Sequence, residues 1–100
     1  MTDKELLEWA KEFRTGLLGS CTGDSMCFAV CAPLEGLLRC CGVDVRMVET
    51  DLSGDDRCEF YSHFWLKLSD GRALDPTADQ FPDHPPIYLG ALLWFHGAAE

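Results

Sequence analysis

Asparagine is absent from this 100-residue chain, and glutamine occurs once, as Gln80. Basic residues are scarce as well: eight Lys and Arg face seventeen Asp and Glu, and no two of the eight are adjacent. Contacts to a phosphate backbone draw on clustered Lys and Arg, so a net charge of -9 and a pI near 4.6 argue against nucleic acid as a partner. Long apolar runs are missing too. The two longest, Met26 to Leu34 and Ile87 to Phe95, hold nine residues each, about half of the roughly 18 to 20 that would span a bilayer. No basic and then apolar leader follows Met1, because residues 2–11 are highly charged. The expectation is a cytoplasmic protein with no membrane partner. The length leaves room for one domain, residues 1–100.

Paired C-x-x-C knuckles are also lacking, although cysteine is abundant: residues 21, 27, 31, 40, 41 and 58. Without a secretory signal, reduced thiols are expected rather than three disulfides. A structural zinc site would have to assemble from Cys27, Cys31, Cys40 or Cys41, Cys58 and His63, a poor match to the usual ligand spacing. The reading is therefore no metal and no cofactor. Free cysteine packs as a small hydrophobe, which assigns Cys31, Cys40 and Cys41 to the core.

What is present is helical periodicity followed by alternation. Leu6, Leu7, Trp9, Ala10, Phe13 and Leu17 recur at helical spacing, Thr2 with Glu5 forms an S/T-x-x-E capping box, and Gly16 offers a stop. This predicts a first helix from Asp3 to about Arg14. After the turn-rich segment 19–25, Cys27, Cys31, Leu34, Leu38 and Cys41 form one stripe that Gly42 ends. The second helix starts at or beside Cys27, with Pro33 predicted to kink it or to begin a separate helix. Strand alternation follows over Val43–Glu49 and Glu59–Leu68, with an acidic, solvated loop over Asp51–Asp56 between them, and Arg72–Asp75 returns from an Asp70-Gly71 hairpin. Residues 77–86 read as loop. Ile87–Phe95 reads equally as a short helix or a last strand. Together these predict an α+β domain, helices packed on a small antiparallel sheet.

The hairpin register bears on chemistry. A two-residue loop would place Asp75 on the face away from His63. A three-residue loop, with a left-handed Gly71, pairs Leu68 with Arg72 and puts Asp75 on the face of His63, within reach of a hydrogen bond. The three-residue register is the prediction. A thiol at a helix start, a histidine on a strand and an aspartate on the next strand are the parts of thiol-based acyl transfer: Cys27 as nucleophile, His63 as base, Asp75 to orient the ring. The Cys27 backbone N–H would donate to the oxyanion. Cys21 is the second candidate nucleophile. Trp65, on the histidine face, is placed with Asp79 and Gln80 as a substrate contact, where it shields the site or else belongs to the core. His84 and His96 read as solvated.

The segment Cys27-Phe-Ala-Val-Cys-Ala-Pro-Leu-Glu-Gly-Leu-Leu-Arg-Cys-Cys-Gly-Val-Asp-Val-Arg46 resembles the cysteine helix of the transglutaminase-like superfamily. His63-Phe-Trp65 is similar to its His-x-Trp strand, and Leu74-Asp75-Pro76-Thr77 to its Asp-Pro-Thr strand end. The resemblance covers Cys27 to about Phe81 and would make this a minimal, bacterial-type member. It implies a papain-like core with a Cys27, His63, Asp75 triad. The activity implied is that of a cysteine protease, amidase, deamidase or acyltransferase, acting on a peptide or glutamine-type amide through a thioester. The alternative is a catalytically inactive acidic module that binds or inhibits a partner. Residues 51–100 carry three basic and nine acidic side chains against five and eight in residues 1–50, which favours a basic substrate or partner on either reading.

Overall fold

The computed structural model describes residues 1–20 and 26–98. Two helices precede a four-stranded antiparallel sheet, an α+β arrangement as predicted. Among the described residues, no helix is long and apolar enough to cross a membrane. Cys21 and most of the predicted 19–25 loop lie outside the described residues.

Helix α1 spans Asp3–Leu18 and opens with the predicted capping box: Glu5 N–H donates to Thr2 Oγ1 at 3.2 Å, and Thr2 N–H donates to Glu5 Oε1 at 3.0 Å. It runs through Gly16 and ends at Gly19, where φ is 61°. Glycine inside a helix costs about 0.5–1 kcal/mol relative to alanine, and the extra turn buries Leu18 in return. The buried stripe is Leu6, Ala10, Arg14 and Leu18, so Leu7, Trp9 and Leu17 fall on the exposed flank.

Helix α2 spans Cys27–Cys40 and continues unbroken through Pro33. A proline there costs about 3 kcal/mol. The fully buried Val30, Leu34 and Leu38 each contribute about 1.5–3 kcal/mol when removed from water, so one continuous helix wins. Pro33 and Ala29, whose carbonyl loses its partner, both lie on the exposed side. The helix stops before Gly42, with φ of 84°. Cys31 is buried as expected, whereas Cys40 and Cys41 are exposed at the helix end rather than in the core.

Strands β1 (Val45–Asp51), β2 (Ser62–Leu68), β3 (Ala73–Asp75) and β4 (Tyr88–Gly90) pair in chain order. The predicted strand boundaries shift: β1 starts and ends two residues later, and β2 begins only at Ser62. The C-terminal run, open between helix and strand, is β4 followed by a 3₁₀ turn over Trp94–His96. Leu66, Leu68 and Leu74 pack with Leu6, Leu34 and Leu38 in one cluster, while Leu52, Ala78, Phe81 and Phe95 form a second. Between β2 and β3, Leu66 faces Leu74 and Leu68 N–H donates to Arg72 O at 2.9 Å. Gly71 takes a φ of 89°. This is the predicted three-residue register.

Candidate active site

That register brings His63 and Asp75, both fully buried at 0% exposure, to one face, where His63 Nε2 and Asp75 Oδ2 are 2.6 Å apart. Asp75 Oδ1 accepts the Thr77 N–H at 3.0 Å. A second histidine donates to the same Oδ2: His96 Nε2 lies 2.7 Å away, and His96 Nδ1 accepts the Leu93 N–H at 3.1 Å. A backbone N–H can only donate, so His96 carries its proton on Nε2 and is neutral. Burial pushes the pKa of His96 down, and Asp75 opposes this only in part. Burial of Asp75 would raise its pKa, but the two imidazole hydrogen bonds outweigh it and hold the carboxyl below its ordinary value. His96 was read from sequence as solvated. The structure corrects this, because the 3₁₀ turn folds it back against Trp65 and Tyr88, with ring centroids 4.9 and 5.8 Å away.

The first turn of α2 lies against β2 at Phe64: the Phe28 and Phe64 rings are 5.1 Å apart edge to face, and Cys31 Sγ donates to Phe64 O at 3.5 Å. This brings Cys27 near enough to His63 for each to shift the other's pKa. Burial raises the Cys27 pKa, but the His63 hydrogen bond, backbone hydrogen bonds from Phe64 and Phe28, and the charge of His63 together lower it. His63 mirrors this: burial lowers its pKa, and hydrogen bonds to Asp75 and Cys27 raise it from 6.5 to about 9. Cys31, one turn away, behaves in the opposite way. Burial, with the nearby negative charges of Asp75, Cys27 and Glu35, pushes its thiol well above its ordinary range. No side chain caps α2, so the N–H groups of its first turn remain as donors beside Cys27.

Gln80 completes the set. It sits in a 3₁₀ turn over Ala78–Gln80, is 7% exposed, and places Nε2 at 3.1 Å from His63 Nδ1. With Cys27, Phe28, Glu59, Phe60 and Phe64 it lines a cleft of about 440 Å³. The other two residues placed as substrate contacts are not part of that cleft. Trp65 is buried and donates its indole N–H to Thr50 Oγ1 at 2.9 Å. Asp79 forms a bidentate pair with Arg14, at 2.7 and 2.6 Å, and Arg14 also donates to Pro76 O and Pro86 O at 2.9 and 3.2 Å. Asp79 thus anchors the turn that carries Gln80. His84 is half-buried, its ring edge to face with Phe95 at 4.9 Å, rather than solvated.

The cysteines form no cluster with the composition of a metal site among the described residues. Among the described residues, His63, Asp75 and His96 form the one group whose ligand atoms, within 4.8 Å of one another, have the composition of a metal site. Two ligands held tetrahedrally about 2.0–2.2 Å from one ion stand about 3.3–3.6 Å apart. The observed 2.6 and 2.7 Å are hydrogen-bond distances onto a single oxygen, so the arrangement fits shared protons and does not fit an ion. A scan against protein-family models and searches of curated proteins and solved structures give no match to this chain.

Proposed function

We propose that the chain is a thiol acyl-transfer enzyme, a transglutaminase-like cysteine hydrolase or acyltransferase on a papain-like core, acting on a peptide or glutamine-type amide. The observation that carries this reading is the 2.6 Å His63–Asp75 contact, with Gln80, at 3.1 Å from Nδ1 of the same imidazole, lining one cleft with Cys27. Cys27 gives its proton to His63 Nδ1, and the thiolate attacks the amide carbon. The N–H groups at the start of α2 receive the developing oxyanion. His63 returns the proton to the leaving amine, the C–N bond breaks, and a thioester remains on Cys27. Water or an amine then attacks the thioester while His63 takes its proton, and the thiol is regenerated. Asp75 holds the ring in the Nε2–H form and stabilises the imidazolium.

The acidic balance around the cleft, with Glu59 in its wall, supports a basic peptide as substrate. Limited alkylation with iodoacetamide at pH 6, followed by peptide mapping, tests the poised thiol: Cys27 is labelled ahead of all other cysteines. Ammonia release from N-blocked glutaminyl peptides tests turnover, with Cys27→Ala as control. Uniform slow labelling with no turnover above Cys27→Ala overturns the proposal.

A further inference from the structure

Gln80 has two ends in different states. Its Nε2 lies 3.1 Å from His63 Nδ1, while Oε1, although buried, has no hydrogen-bond partner among the described residues. A buried carbonyl oxygen without a donor is costly, and native folds keep such groups where something else supplies the missing partner. The backbone that aims this side chain is fixed: Asp79, the preceding residue, is clamped by Arg14, and the turn is closed by Gln80 N–H to Thr77 O at 3.2 Å. The freedom left to Gln80 is rotation of its terminal amide, which has a broad and shallow torsional profile.

Resting Gln80 therefore holds an NH₂ group at hydrogen-bond distance from Nδ1, the ring nitrogen that Asp75 does not take. That is also where the nitrogen of a departing amine must stand to receive the proton of His63. The oxygen of the same amide lies about 2.2 Å from its nitrogen. We propose that Gln80 is the specificity-determining residue for the leaving group: the incoming substrate nitrogen displaces the Gln80 NH₂ from His63, the amide turns, and Oε1 accepts an N–H of the leaving nitrogen. This inference rests on the acyl-transfer reading above. The bonding balances in the first half-reaction: the S–C bond forms, the C–N bond breaks, and the nitrogen takes the Nδ1 proton. The leaving amine then carries N–H bonds shared between Nδ1 and Oε1. An ester leaving group has only an oxygen at that place and offers no N–H to Oε1, so Gln80 favours amides over esters.

A matched pair of probes tests this: an N-blocked glutaminyl peptide and the same peptide with the side chain as its γ-methyl ester. Gln80→Met keeps the side-chain length and removes the acceptor. It is expected to lower the amide-to-ester ratio of kcat/KM about tenfold or more. Gln80→Glu keeps an acceptor oxygen and is expected to hold the amide-to-ester ratio within about threefold of wild type. Equal losses on both probes in both variants, or an unchanged ratio in Gln80→Met, overturn the assignment. Urea unfolding checks the folding of each variant. If wild type turns over neither probe above the Cys27→Ala background, the acyl-transfer reading fails and Gln80 falls with it; turnover of both with an unaltered ratio sinks the Gln80 assignment alone.

Discussion

His96 and His63 donate to one and the same oxygen, Asp75 Oδ2, at 2.7 and 2.6 Å. The carboxylate thus has two imidazole donors on one lone-pair oxygen and a backbone donor on the other. A hydrogen bond to a buried charge contributes about 1.5–3 kcal/mol. His96→Ala is expected to destabilise the fold by about 3 kcal/mol, measured by urea unfolding. His96→Gln, which can present an N–H to Asp75, should recover a large part. With His96 gone, Asp75 bonds only His63 among side chains and stabilises its imidazolium more strongly, so the upper limb of the pH–rate profile moves to higher pH. A loss of stability with no shift of that limb would assign His96 to packing alone.

The two thiols of α2's first turns should separate by pH. The pKa of Cys27 is lowered and that of Cys31 raised, so alkylation of native protein labels Cys27 already below pH 8 and leaves Cys31 unlabelled. Turnover has a second limit. His63, raised to about 9, stays protonated and able to give up its proton below that pH and loses it above. The profile therefore rises as Cys27 ionises and falls through about 9.

Arg14 and Asp79 form a bidentate ion pair whose side chains are 9% and 19% exposed. Removing one partner leaves the other charge largely buried. Arg14→Met is expected to cost about 2–4 kcal/mol, and Arg14→Met with Asp79→Leu to recover part of it. A double-mutant cycle by thermal unfolding reads the coupling. Because Asp79 precedes Gln80, the single variant should also lower turnover more than its stability loss accounts for at a temperature where it is folded.

The register that joins His63 to Asp75 turns at Gly71, with φ of 89°. Gly71→Ala finds open space but a strained backbone, and is expected to lose about 1–2 kcal/mol. If unfolding shows no loss, the left-handed turn is not what holds this register.

Local chemistry was readable from sequence where it was decided locally. Thr2 with Glu5 announced the start of α1, Gly42 the end of α2, and Ser69-Asp70-Gly71 the register that aligns His63 with Asp75. What escaped was decided at a distance. Arg14 sits in a hydrophobic stripe because Asp79, 65 positions on, meets it there. Trp9, with the same helical spacing as its apolar neighbours, falls on the exposed flank of α1. His96 ends an apolar run, and only the fold-back of the 3₁₀ turn shows that its partner is Asp75. A polar residue closing such a run was the one sequence signal that pointed to it. Pro33 misled because a local penalty was outweighed by a stripe of buried side chains.

The surroundings of His63 are unequal at its two nitrogens. The Nε2 edge is shut in by Asp75 and His96, the ring meets Phe81 and Phe95 edge to face at 4.9 and 5.5 Å, and those two phenyl rings stack on each other at 4.0 Å. The Nδ1 edge looks to the cleft. The imidazole is therefore expected to exchange hydrogen at one edge only: a deuteron introduced from solvent enters and leaves at Nδ1, while the Nε2 site keeps its original isotope until the aromatic wall itself opens. The lifetime of that proton measures how often this interior breathes.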